Sequence, residues 1–380
     1  MSDIPTIGKQ LRSLITEDGQ LELSLADESI PSLAADDILV RVEATPINPS
    51  DLGLLVGFAD LDGAVASGSA DSPVVTAPVP PAYMRAVTAR IGQSLPVGNE
   101  GAGVVIAAGG SPTAQALVGR TVALAGGGLY AQYRVAKVDA VLAMPNDVTP
   151  LDAASSFVNP LTALGFLETM RREGHSALVN TAAASNLGQM LVKLCLADGI
   201  ELVNIVRSDA QVELLRGLGA VHICNSASPT FFPDLVAAIV ATGATIGFDA
   251  IGGGKLAGQI LTAMEAALNQ ATATYSVYGS STPKRIYVYG GLDPRPTEIS
   301  RNFGLSWNIG GWLVTPFLAE VGPEVVQRLR ARIVEELTTT FASGYTQEIS
   351  LSQALNIETL RKYRRIATGE KYVITPNKTL

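Results

Sequence analysis

The residues with the clearest chemical signature lie between Ala177 and Arg207. A short apolar run over 177–181 is followed by a turn of small residues, a helical apolar pattern over 187–196 and a second apolar run over 202–206. Strand, tight turn, helix and strand within about 30 residues form a βαβ unit, the setting in which a dinucleotide-binding turn occurs. The sequence therefore predicts a nucleotide phosphate site at this turn, within a parallel sheet.

The turn carries small residues in place of two of the three glycines of the dinucleotide fingerprint. Aligning G-x-G-x-x-G places Ala183 and Ser185 on the first two glycines and Gly188 on the third. Small side chains let the backbone approach a pyrophosphate, and the first turn of the following helix supplies unpaired amide groups. A generic strand-to-helix turn has the same pattern, so the turn alone leaves both interpretations open. The predicted phosphate contacts are Ala183, Ala184, Ser185, Asn186, Leu187 and Gly188.

A basic residue follows the second strand of this unit. Counting about 20 residues from Ala183 leads to this strand end, where an NAD-binding protein has a carboxylate for the ribose 2′-hydroxyl. The chain instead has Arg207 followed by Ser208. An arginine suits a 2′-phosphate, and a charge-assisted hydrogen bond contributes about 1.5–3 kcal/mol. A solvated arginine is the alternative. We predict NADP(H) rather than NAD(H) as the cofactor, with Arg207 and Ser208 among its contacts.

Composition indicates a well-packed protein with room for two domains. The chain has 380 residues, of which 47% are apolar and 16% charged, and its net charge is −8. Without a basic tract, nucleic acid and anionic membranes are poor partners. No apolar run reaches membrane-spanning length, and the N-terminal residues lack a basic region followed by an apolar core. We therefore expect a cytoplasmic protein with no membrane and no nucleic-acid partner.

Metal ligands are scarce. The only histidines are His175 and His222, the only cysteines are Cys195 and Cys224, and none of the four neighbours another. Catalytic zinc normally requires three protein ligands of the His, Cys or carboxylate type. We therefore expect no metal, and we expect both cysteines to be packing residues.

The rest of the chain divides into a strand-rich part and an alternating part. The run 37–43 predicts a half-exposed strand, and the Gly/Ala/Ser/Pro-rich stretch 57–96 predicts an active-site cover or a mobile surface loop. Beyond Arg207, helices alternate with strands, which predicts a parallel sheet covered on both faces. The last segment predicts, in order, a helix over 324–341, a helix near 351–369 and a strand over 371–374.

Seven short motifs occur in the order and spacing of a known superfamily. They lie at 47–51, 98–103, 130–133, 159–163, 182–188, 248–253 and 289–291. Together they resemble the medium-chain dehydrogenase/reductase superfamily, specifically its zinc-free quinone oxidoreductase and enoyl reductase branches. In zinc-dependent relatives Cys-His stands at Asn48-Pro49, His at Asn99 and Cys at Asn159. Only the Glu100 position keeps a metal-ligand type.

The resemblance implies an α/β fold in which a Rossmann doubly wound parallel sheet is inserted between parts of a GroES-like β-rich domain. The substrate and catalytic domain would be 1–150, with the insertion 57–96, the NADP-binding domain 151–314, and a C-terminal segment, 315–380, would return to the first domain. It also implies a homodimer. The further cofactor contacts that it implies are Asn48, Thr162, Ile251, Gly290, Gly291 and Leu292.

The chemistry implied is hydride transfer from the nicotinamide to a quinone or to the β-carbon of a conjugated carbonyl. The developing oxyanion needs donors, for which Asn48, Ser50 and Asn159 are the candidates. Enoyl reduction also needs an acid that protonates carbon, and similar enoyl thioester reductases place a tyrosine before the Gly-x-Glu-Gly segment. Tyr83 is the only tyrosine between 51 and 98 and is therefore the candidate that the resemblance implies. A packing or lid tyrosine is the alternative role for Tyr83.

We therefore predict an NADPH-dependent, zinc-independent reductase of quinones or activated alkenes. An enoyl thioester reductase is the alternative of the same class, and an NADPH-binding sensor without turnover is the alternative of another class. The insertions 57–96 and 271–284 are longer than in compact relatives. Because both could reshape the substrate pocket, the physiological substrate does not follow from the resemblance.

Overall fold

The computed structural model describes residues 4–271 and 276–378. Its strands are β1 (Ile7–Ile15), β2 (Gln20–Ser29), β3 (Asp37–Pro46), β4 (Val65–Gly68), β5 (Pro73–Pro78), β6 (Leu95–Pro96), β7 (Glu100–Ala108), β8 (Thr121–Ala125), β9 (Tyr133–Lys137), β10 (Leu142–Ala143), β11 (Ala177–Asn180), β12 (Glu201–Val206), β13 (His222–Asn225), β14 (Ile246–Asp249), β15 (Lys284–Val288), β16 (Trp307–Gly311), β17 (Gln347–Ile349) and β18 (Tyr372–Ile374). Its α-helices are α1 (Pro49–Leu55), α2 (Pro81–Val87), α3 (Pro112–Gln115), α4 (Pro150–Ala153), α5 (Val158–Arg172), α6 (Asn186–Asp198), α7 (Asp209–Gly217), α8 (Phe231–Thr242), α9 (Leu256–Gln270), α10 (Val314–Val321), α11 (Pro323–Glu335), α12 (Leu351–Ala354) and α13 (Ile357–Arg364).

The chain divides into two compact units. The first unit comprises Met1–Val158 and Arg332–Leu380, and the second comprises Asn159–Ala331. The domain boundaries expected from the sequence, after residues 150 and 314, differ from these limits. The first unit is therefore built from two separated stretches of chain, and the second is one continuous stretch inserted between them.

Two β-sheets form the first unit. One has five strands in the order β4-β5-β2-β1-β6, and the other has the order β10-β8-β7-β3-β18-β17, with β9 also paired to β3. Strand β3 is paired on both sides, its Ile38, Val40 and Val42 are buried, and its Arg41 is exposed. The expected strand over 37–43 and its expected half-exposure are both confirmed, and only Leu39, which is fully buried, departs from the alternation.

The stretch 57–96 contributes three strands to the five-stranded sheet, which corrects the expectation of a mobile surface loop, while its role as an active-site cover stays a prediction. Strand β5 pairs with β2, and β4 pairs with β5 at the sheet edge. Val75 and Leu61 from this stretch are buried in the same core as Leu23. The prolines that suggested a loop stand at the ends of strands and at the starts of helices, where a missing backbone donor is tolerated.

The second unit is a six-stranded parallel sheet in the order β13-β12-β11-β14-β15-β16. Leu235 of α8 and Leu261 of α9 pack with Val179 on one face. Phe166 of α5 stacks on Phe248 of β14 with ring centroids 4.0 Å apart. Phe248 lies on the face opposite Val179, because Val179 pairs with Gly247 and successive side chains alternate. Helices therefore cover both faces, as the alternating pattern predicted.

Some predicted helices end earlier than expected. Helix α11 ends at Glu335, and the helix expected near 351–369 is two short helices, α12 and α13.

Part of the insert 271–284, residues 272–275, lies outside the described residues. Its later part is anchored in the second unit: Ser280 N donates to Glu265 Oε1 at 2.9 Å, and Lys284 Nζ lies 2.8 Å from Glu265 Oε2.

Candidate functional site

The turn between β11 and α6 is built for close approach of the backbone. Ser185 is the N-cap of α6, and its Oγ accepts a hydrogen bond from Gly188 N at 3.1 Å. A Cβ at Gly188 would lie 2.2 Å from Ala183 O. Only glycine therefore lets α6 begin this close to the turn. The turn and the start of α6 contain all six predicted phosphate contacts, which are Ala183, Ala184, Ser185, Asn186, Leu187 and Gly188.

The same turn contains a strained residue that the alignment did not identify. Ala182 has φ +49°, a left-handed conformation that costs a residue with a Cβ about 1–2 kcal/mol. The fingerprint alignment placed the first glycine at position 183, whereas the left-handed position is 182. Strain of this kind is found at turns whose backbone shape is part of a site.

Arg207 and Ser208 follow β12, and their side chains differ in the hydrogen bonds that they already form within the protein. Ser208 is the N-cap of α7, and its Oγ accepts from Gln211 N at 3.4 Å. Arg207 is exposed, and its backbone N–H donates to Gln211 Oε1 at 2.9 Å. Within the described chain its guanidinium forms no hydrogen bond or ion pair. Arg207 therefore keeps its charge free for an anion, while the Ser208 oxygen accepts from the helix and its hydroxyl hydrogen stays available as a donor.

A buried carboxylate orders the loop after β14. Asp249 Oδ1 accepts from Thr181 Oγ1 at 2.7 Å and from Ile251 N at 2.9 Å, and its Oδ2 accepts from Gly252 N at 3.1 Å. The same Thr181 oxygen accepts from Ala250 N at 2.8 Å. Sequence reasoning missed Asp249 and Thr181 as positioning residues, although an acid at the end of an apolar strand was a usable signal.

The loop after β15 packs against that loop. A Cβ at Gly290 would lie 2.7 Å from Ala250 O, so a glycine is required there. A Cβ at Gly291 would meet no atom within 4 Å, and Leu292 is exposed. The ends of β11, β12, β14 and β15 share one edge of a parallel sheet, which is where ligands bind in folds of this class. The structure thus brings the predicted residues 183–188, 207–208, 251 and 290–292 to one edge.

The second unit also contains four buried polar residues, two on α5 and two on the adjacent strands β11 and β12. Asn159 and Thr162 lie one turn apart on α5, and both are buried. Asn180 of β11 is fully buried, with neither its Oδ1 nor its Nδ2 hydrogen-bonded in the described residues, and Asn204 Oδ1 beside it is also unpaired. Sequence reasoning missed this pair, whose signal was an amide inside each of two apolar strands.

In the first unit, predicted catalytic residues meet around the start of α1. Asn48 Nδ2 donates to Glu100 Oε1 at 2.7 Å. Asn99 Nδ2 donates to Ser50 Oγ at 3.1 Å. Asp51 joins the two pairs, because its Oδ2 accepts from Asn48 N and its Oδ1 from Asn99 N, both at 2.8 Å. Three of the residues that stand at the metal-ligand positions of zinc-dependent relatives, Asn48, Asn99 and Glu100, therefore belong to one hydrogen-bonded group.

Glu100 is fully buried and accepts hydrogen bonds on both carboxylate oxygens. Besides Asn48, it accepts from Phe157 N and Val158 N, both at 2.8 Å. Burial raises the pKa of Glu100, and the charge of Lys371 and these hydrogen bonds oppose that rise. Since every partner is a donor, the geometry fits the ionised carboxylate, which fixes the direction in which Asn48 Nδ2 points.

Lys371 lies beside this group at the start of the last strand. Its Nζ donates to Ser155 Oγ at 2.7 Å and to Ser343 Oγ at 3.3 Å, and it sits 5.2 Å from the centre of the Tyr345 ring. Burial lowers the pKa of Lys371 to about 8, and the charge of Glu100 opposes that decrease. The ammonium group supplies the positive charge that offsets the buried Glu100 carboxylate.

Tyr83 lies elsewhere in the first unit. It belongs to α2, its side chain is exposed, and its ring stacks on Phe58 with centroids 4.5 Å apart and planes 5° apart. Among the described residues, no hydrogen bond joins Tyr83 to Asn48 or Ser50. The structure brings together Asn48 and Ser50, but it does not place Tyr83 in that group.

Asp51 provides a testable pH dependence. Burial raises its pKa to about 7, a change reinforced by the charge of Glu100 and opposed by the amides of Asn48 and Asn99. The folded state then holds a proton that the unfolded state releases near pH 4, so this contribution to stability is present at low pH and is lost as pH rises toward 7. We expect the Tm of Asp51→Asn, relative to wild type, to be about 2 °C or more higher at pH 8 than at pH 5. The exposed Asp147→Asn is the control, and a pH-independent Tm difference for Asp51→Asn would contradict the assignment.

The part of the chain that is described contains no group of three or more His, Cys, Asp or Glu side chains placed to bind a metal ion. Both cysteines are buried thiols, and burial raises the pKa of Cys195 and brings that of Cys224 to about 12. Over residues 4–271 and 276–378, no helix combines the length and apolar composition that crossing a bilayer requires.

A parallel sheet with a small-residue turn at its carboxyl edge, inserted into a β-rich unit, defines a dinucleotide-binding α/β architecture. No family model matches the chain. Over 210 residues it is 29% identical to the mitochondrial enoyl-[acyl-carrier-protein] reductase of Xenopus tropicalis, an alignment covering 53% of this chain and 51% of that protein. The chain thus spans about half the length of the curated relatives it matches.

Solved structures match almost the whole chain. A structure from Mesorhizobium loti, provisionally assigned as an NADPH:quinone reductase, is 26% identical and superposes with a TM-score of 0.72, covering 98% of this chain and 100% of that one. The ETR1P/NADP/crotonyl-CoA complex is 17% identical, with a TM-score of 0.67 and coverage of 97% and 99%. The chain has the fold of the quinone and enoyl reductases of the medium-chain dehydrogenase/reductase superfamily, which confirms the resemblance seen in the sequence. The expected fold class, a Rossmann sheet inserted between parts of a GroES-like β-rich domain, is confirmed.

Proposed function

We propose that this protein is an NADPH-dependent reductase that transfers hydride to a quinone or to an activated alkene. The observation that carries the proposal is the carboxyl edge of the second unit. There, a turn that admits only glycine at position 188 precedes the amide end of α6, and the unpaired guanidinium of Arg207 follows the next strand. A narrow backbone cradle, a helix N-terminus and a free cation form the donor set that a dinucleotide carrying a 2′-phosphate requires.

The residues present fit NADP(H), which supplies a transferable hydride at its nicotinamide when bound. The first-turn amides of α6 and the hydroxyl hydrogen of Ser185 would hold the pyrophosphate, and Arg207 the 2′-phosphate. The proposed contacts for the remainder of the dinucleotide are Asn48, Thr162, Ile251, Gly290, Gly291 and Leu292. The nucleotide is therefore assigned to the second unit, and the catalytic group to the first.

The catalytic role proposed for the first unit is stabilisation of negative charge on oxygen. Asn48 Nδ2 carries two hydrogens, and Glu100 accepts only one of them. The second is available to a developing oxyanion, and its direction is set before substrate binds. Ser50 and Asn159 remain candidate donors. Zinc takes no part in this proposal.

An enoyl thioester reductase is the second candidate, and the names of the curated relatives favour it. This reaction must protonate carbon, and Tyr83 is the proposed acid, although its ring is stacked on Phe58. A sensor that binds NADPH without turnover is the candidate of a different class. A homodimer and a cytoplasmic location also stay proposals, and several curated relatives are named as mitochondrial.

The test of the proposal is titration of the protein with NADPH and NADH, followed by loss of absorbance at 340 nm with 1,4-benzoquinone, an enone and crotonyl-CoA. We expect tighter binding of NADPH and substrate-dependent oxidation. Oxidation with crotonyl-CoA alone would favour the enoyl reductase, and tight NADPH binding without oxidation by any acceptor would favour the sensor. Failure to bind either nucleotide would exclude all three functions.

Arg207→Asp separates the two cofactors. The substitution replaces a cation by an anion at the position assigned to the 2′-phosphate, so NADPH affinity should fall by about ten- to a hundredfold while NADH affinity changes little. Fluorescence titration of both nucleotides measures the ratio. Arg216→Gln on α7, which removes an exposed arginine paired with Glu213, is the control. Equal losses for the two nucleotides would remove Arg207 from the 2′-phosphate site.

A further inference from the structure

An aromatic cluster of the second unit lies between α5 and the sheet. Phe166 of α5 packs against Tyr289 and against Trp312, with ring centroids 4.8 and 4.9 Å apart. Phe248, on which Phe166 stacks, lies 5.7 Å from the ring of Tyr287. The two tyrosines and the tryptophan each carry a hydrogen-bonding group at the tip of an otherwise apolar side chain.

Two of these three polar tips are paired inside the protein. The Tyr287 hydroxyl donates to Glu173 Oε1, and Trp312 Nε1 donates to Thr169 Oγ1 at 3.0 Å. Within the described chain, the Tyr289 hydroxyl forms no hydrogen bond. Tyr289 is only half-buried, and water can satisfy such a hydroxyl, so the unpaired group alone does not identify a ligand. Its position in the sheet gives the further evidence.

Tyr289 lies at the carboxyl edge of the sheet, where the nucleotide site is proposed. The last pair between β14 and β15 is Asp249 with Val288, and Tyr289 is the next residue along the chain. Its backbone N–H donates to Asp249 O at 2.9 Å, and Gly290 follows it. Tyr287 and Tyr289 lie on the same face because successive side chains of a strand alternate. Tyr289 is thus the one nearer to the edge at which ligands bind.

The strand order indicates which half of the nucleotide reaches Tyr289. Along the edge, the strand before Arg207, β12, is followed by β11 with the phosphate turn, then by β14 and β15. Neighbouring strands lie about 4.8 Å apart, so the end of β15 is about 10 Å from the turn on the side away from Arg207. With Arg207 assigned to the 2′-phosphate and the turn to the pyrophosphate, an extended dinucleotide directs its nicotinamide half toward Tyr289.

The Tyr289 hydroxyl is suited to donate a hydrogen bond and not to ionise. Burial raises the pKa of Tyr289, and the charge of Asp249 reinforces that rise. The phenol therefore keeps its proton at neutral pH and offers one donor to an oxygen acceptor. Packing on Phe166 and the backbone bond to Asp249 hold the residue in place before a ligand binds, which reduces the entropy lost on binding.

We infer that the Tyr289 hydroxyl donates a hydrogen bond to the carboxamide oxygen of the nicotinamide and thereby fixes the orientation of its ring. The inference rests on the proposed NADPH-dependent function and adds a specific side chain to a part of the site so far described by backbone positions. The carboxamide oxygen is the hydrogen-bond acceptor carried by the nicotinamide ring, and it is uncharged, as is its donor.

Tyr289→Phe removes the hydroxyl alone and is the decisive variant. Tyr287→Phe is the matched control, because it removes a hydroxyl from the same face of the same strand, one that is bonded to Glu173 and Arg285. Calorimetric titration measures binding of three ligands without turnover. They are NADPH, its thionicotinamide analogue, in which sulfur replaces the carboxamide oxygen, and 2′-phospho-ADP-ribose, which lacks the nicotinamide. Thermal denaturation of each variant measures the structural contribution of the hydroxyl.

We expect Tyr289→Phe to weaken NADPH binding about three- to tenfold, the effect of losing one neutral hydrogen bond. Its binding of 2′-phospho-ADP-ribose and its Tm should equal those of wild type. Wild type should bind the thionicotinamide analogue more weakly than NADPH, and Tyr289→Phe should reduce this difference. Tyr287→Phe should show the opposite behaviour, with a lower Tm and unchanged NADPH binding.

Unchanged NADPH affinity in Tyr289→Phe would overturn the inference, as would equal losses for NADPH and 2′-phospho-ADP-ribose. Equal losses for NADPH and its thionicotinamide analogue would also overturn it, because the hydroxyl would then contact the ribose. Each of these results leaves the proposed function standing, since wild type still binds the nucleotide. Failure of wild type to bind any of the three ligands would overturn the proposed function and the inference together.

Discussion

Replacing Glu100 with alanine is expected to lower the free energy of unfolding by about 3–5 kcal/mol, the range found when one partner of a buried charged group is removed. The substitution leaves the Phe157 and Val158 amides and Asn48 Nδ2 without their acceptor, and it leaves the Lys371 charge without its counterion. Chemical denaturation measures the effect. Glu43→Gln, which alters a carboxylate of the adjacent strand β3, should change stability by about 0.5 kcal/mol or less.

Glu100→Gln separates the positioning role of Glu100 from its structural one. The glutamine carbonyl can still accept from the two backbone amides, but its NH₂ group then faces Asn48. Asn48 must turn its own carbonyl toward position 100, which reverses the donor it presents to substrate. We expect kcat to fall at least tenfold with a smaller change in the KM for the acceptor and a stability loss well below that of Glu100→Ala. Equal losses of stability in the two variants, with kcat unchanged in Glu100→Gln, would limit Glu100 to a structural role.

Gly188→Ala is the second substitution with a large expected effect. The added Cβ would lie 2.2 Å from Ala183 O, 2.5 Å from its carbonyl carbon and 2.7 Å from its Cα, all of them backbone atoms that cannot move aside alone. The start of α6 must shift away from the turn. We expect a stability loss of about 1–3 kcal/mol and at least a tenfold loss of affinity for both NADPH and NADH.

Gly217→Ala is the matched control for Gly188→Ala. Gly217 ends helix α7, and a Cβ there would meet no atom within 4 Å. Alanine is the better helix former, so stability should stay the same or rise by up to about 1 kcal/mol. Unchanged nucleotide affinity in Gly188→Ala would place the nucleotide elsewhere, whatever the change in stability.

The nucleotide edge was largely predictable, because its signals are local. The run from Ala177 to Arg207 contains its own strands, turn and helix, and the first strand and the helix occur where the pattern placed them. Local sequence pattern did not predict the secondary structure where it depends on pairing with a strand that is distant in the sequence. The stretch 57–96 reads as a loop by composition, yet it forms strands because β2 offers an unpaired edge.

The first-unit group could be predicted only in part. Asn48, Ser50 and Glu100 were identified from the resemblance. Their links to Asp51, Ser155 and Lys371 join residues that are far apart in the sequence, and Glu100 and Lys371 are separated by 271 positions. The periodic pattern of apolar residues along a sequence does not reveal contacts between residues that are so far apart. A buried acid and a distant buried base are recognisable only once the sheet has brought β7 and the segment before β18 together.

The division of the first unit into two stretches has a consequence for how the protein is made. Strand β18 pairs with β3 through Val373 and Ile374, and Ile47 N donates to Tyr372 O at 3.0 Å, directly ahead of Asn48. A ribosome releases residues 1–158 long before residues 372–374 exist. During that interval β3 lacks its neighbour and Glu100 lacks Lys371, so the emerging chain carries an open strand edge and an unbalanced buried charge. The inserted unit, being continuous, can fold first, and the proposed catalytic group is completed only after residue 374 has been synthesised.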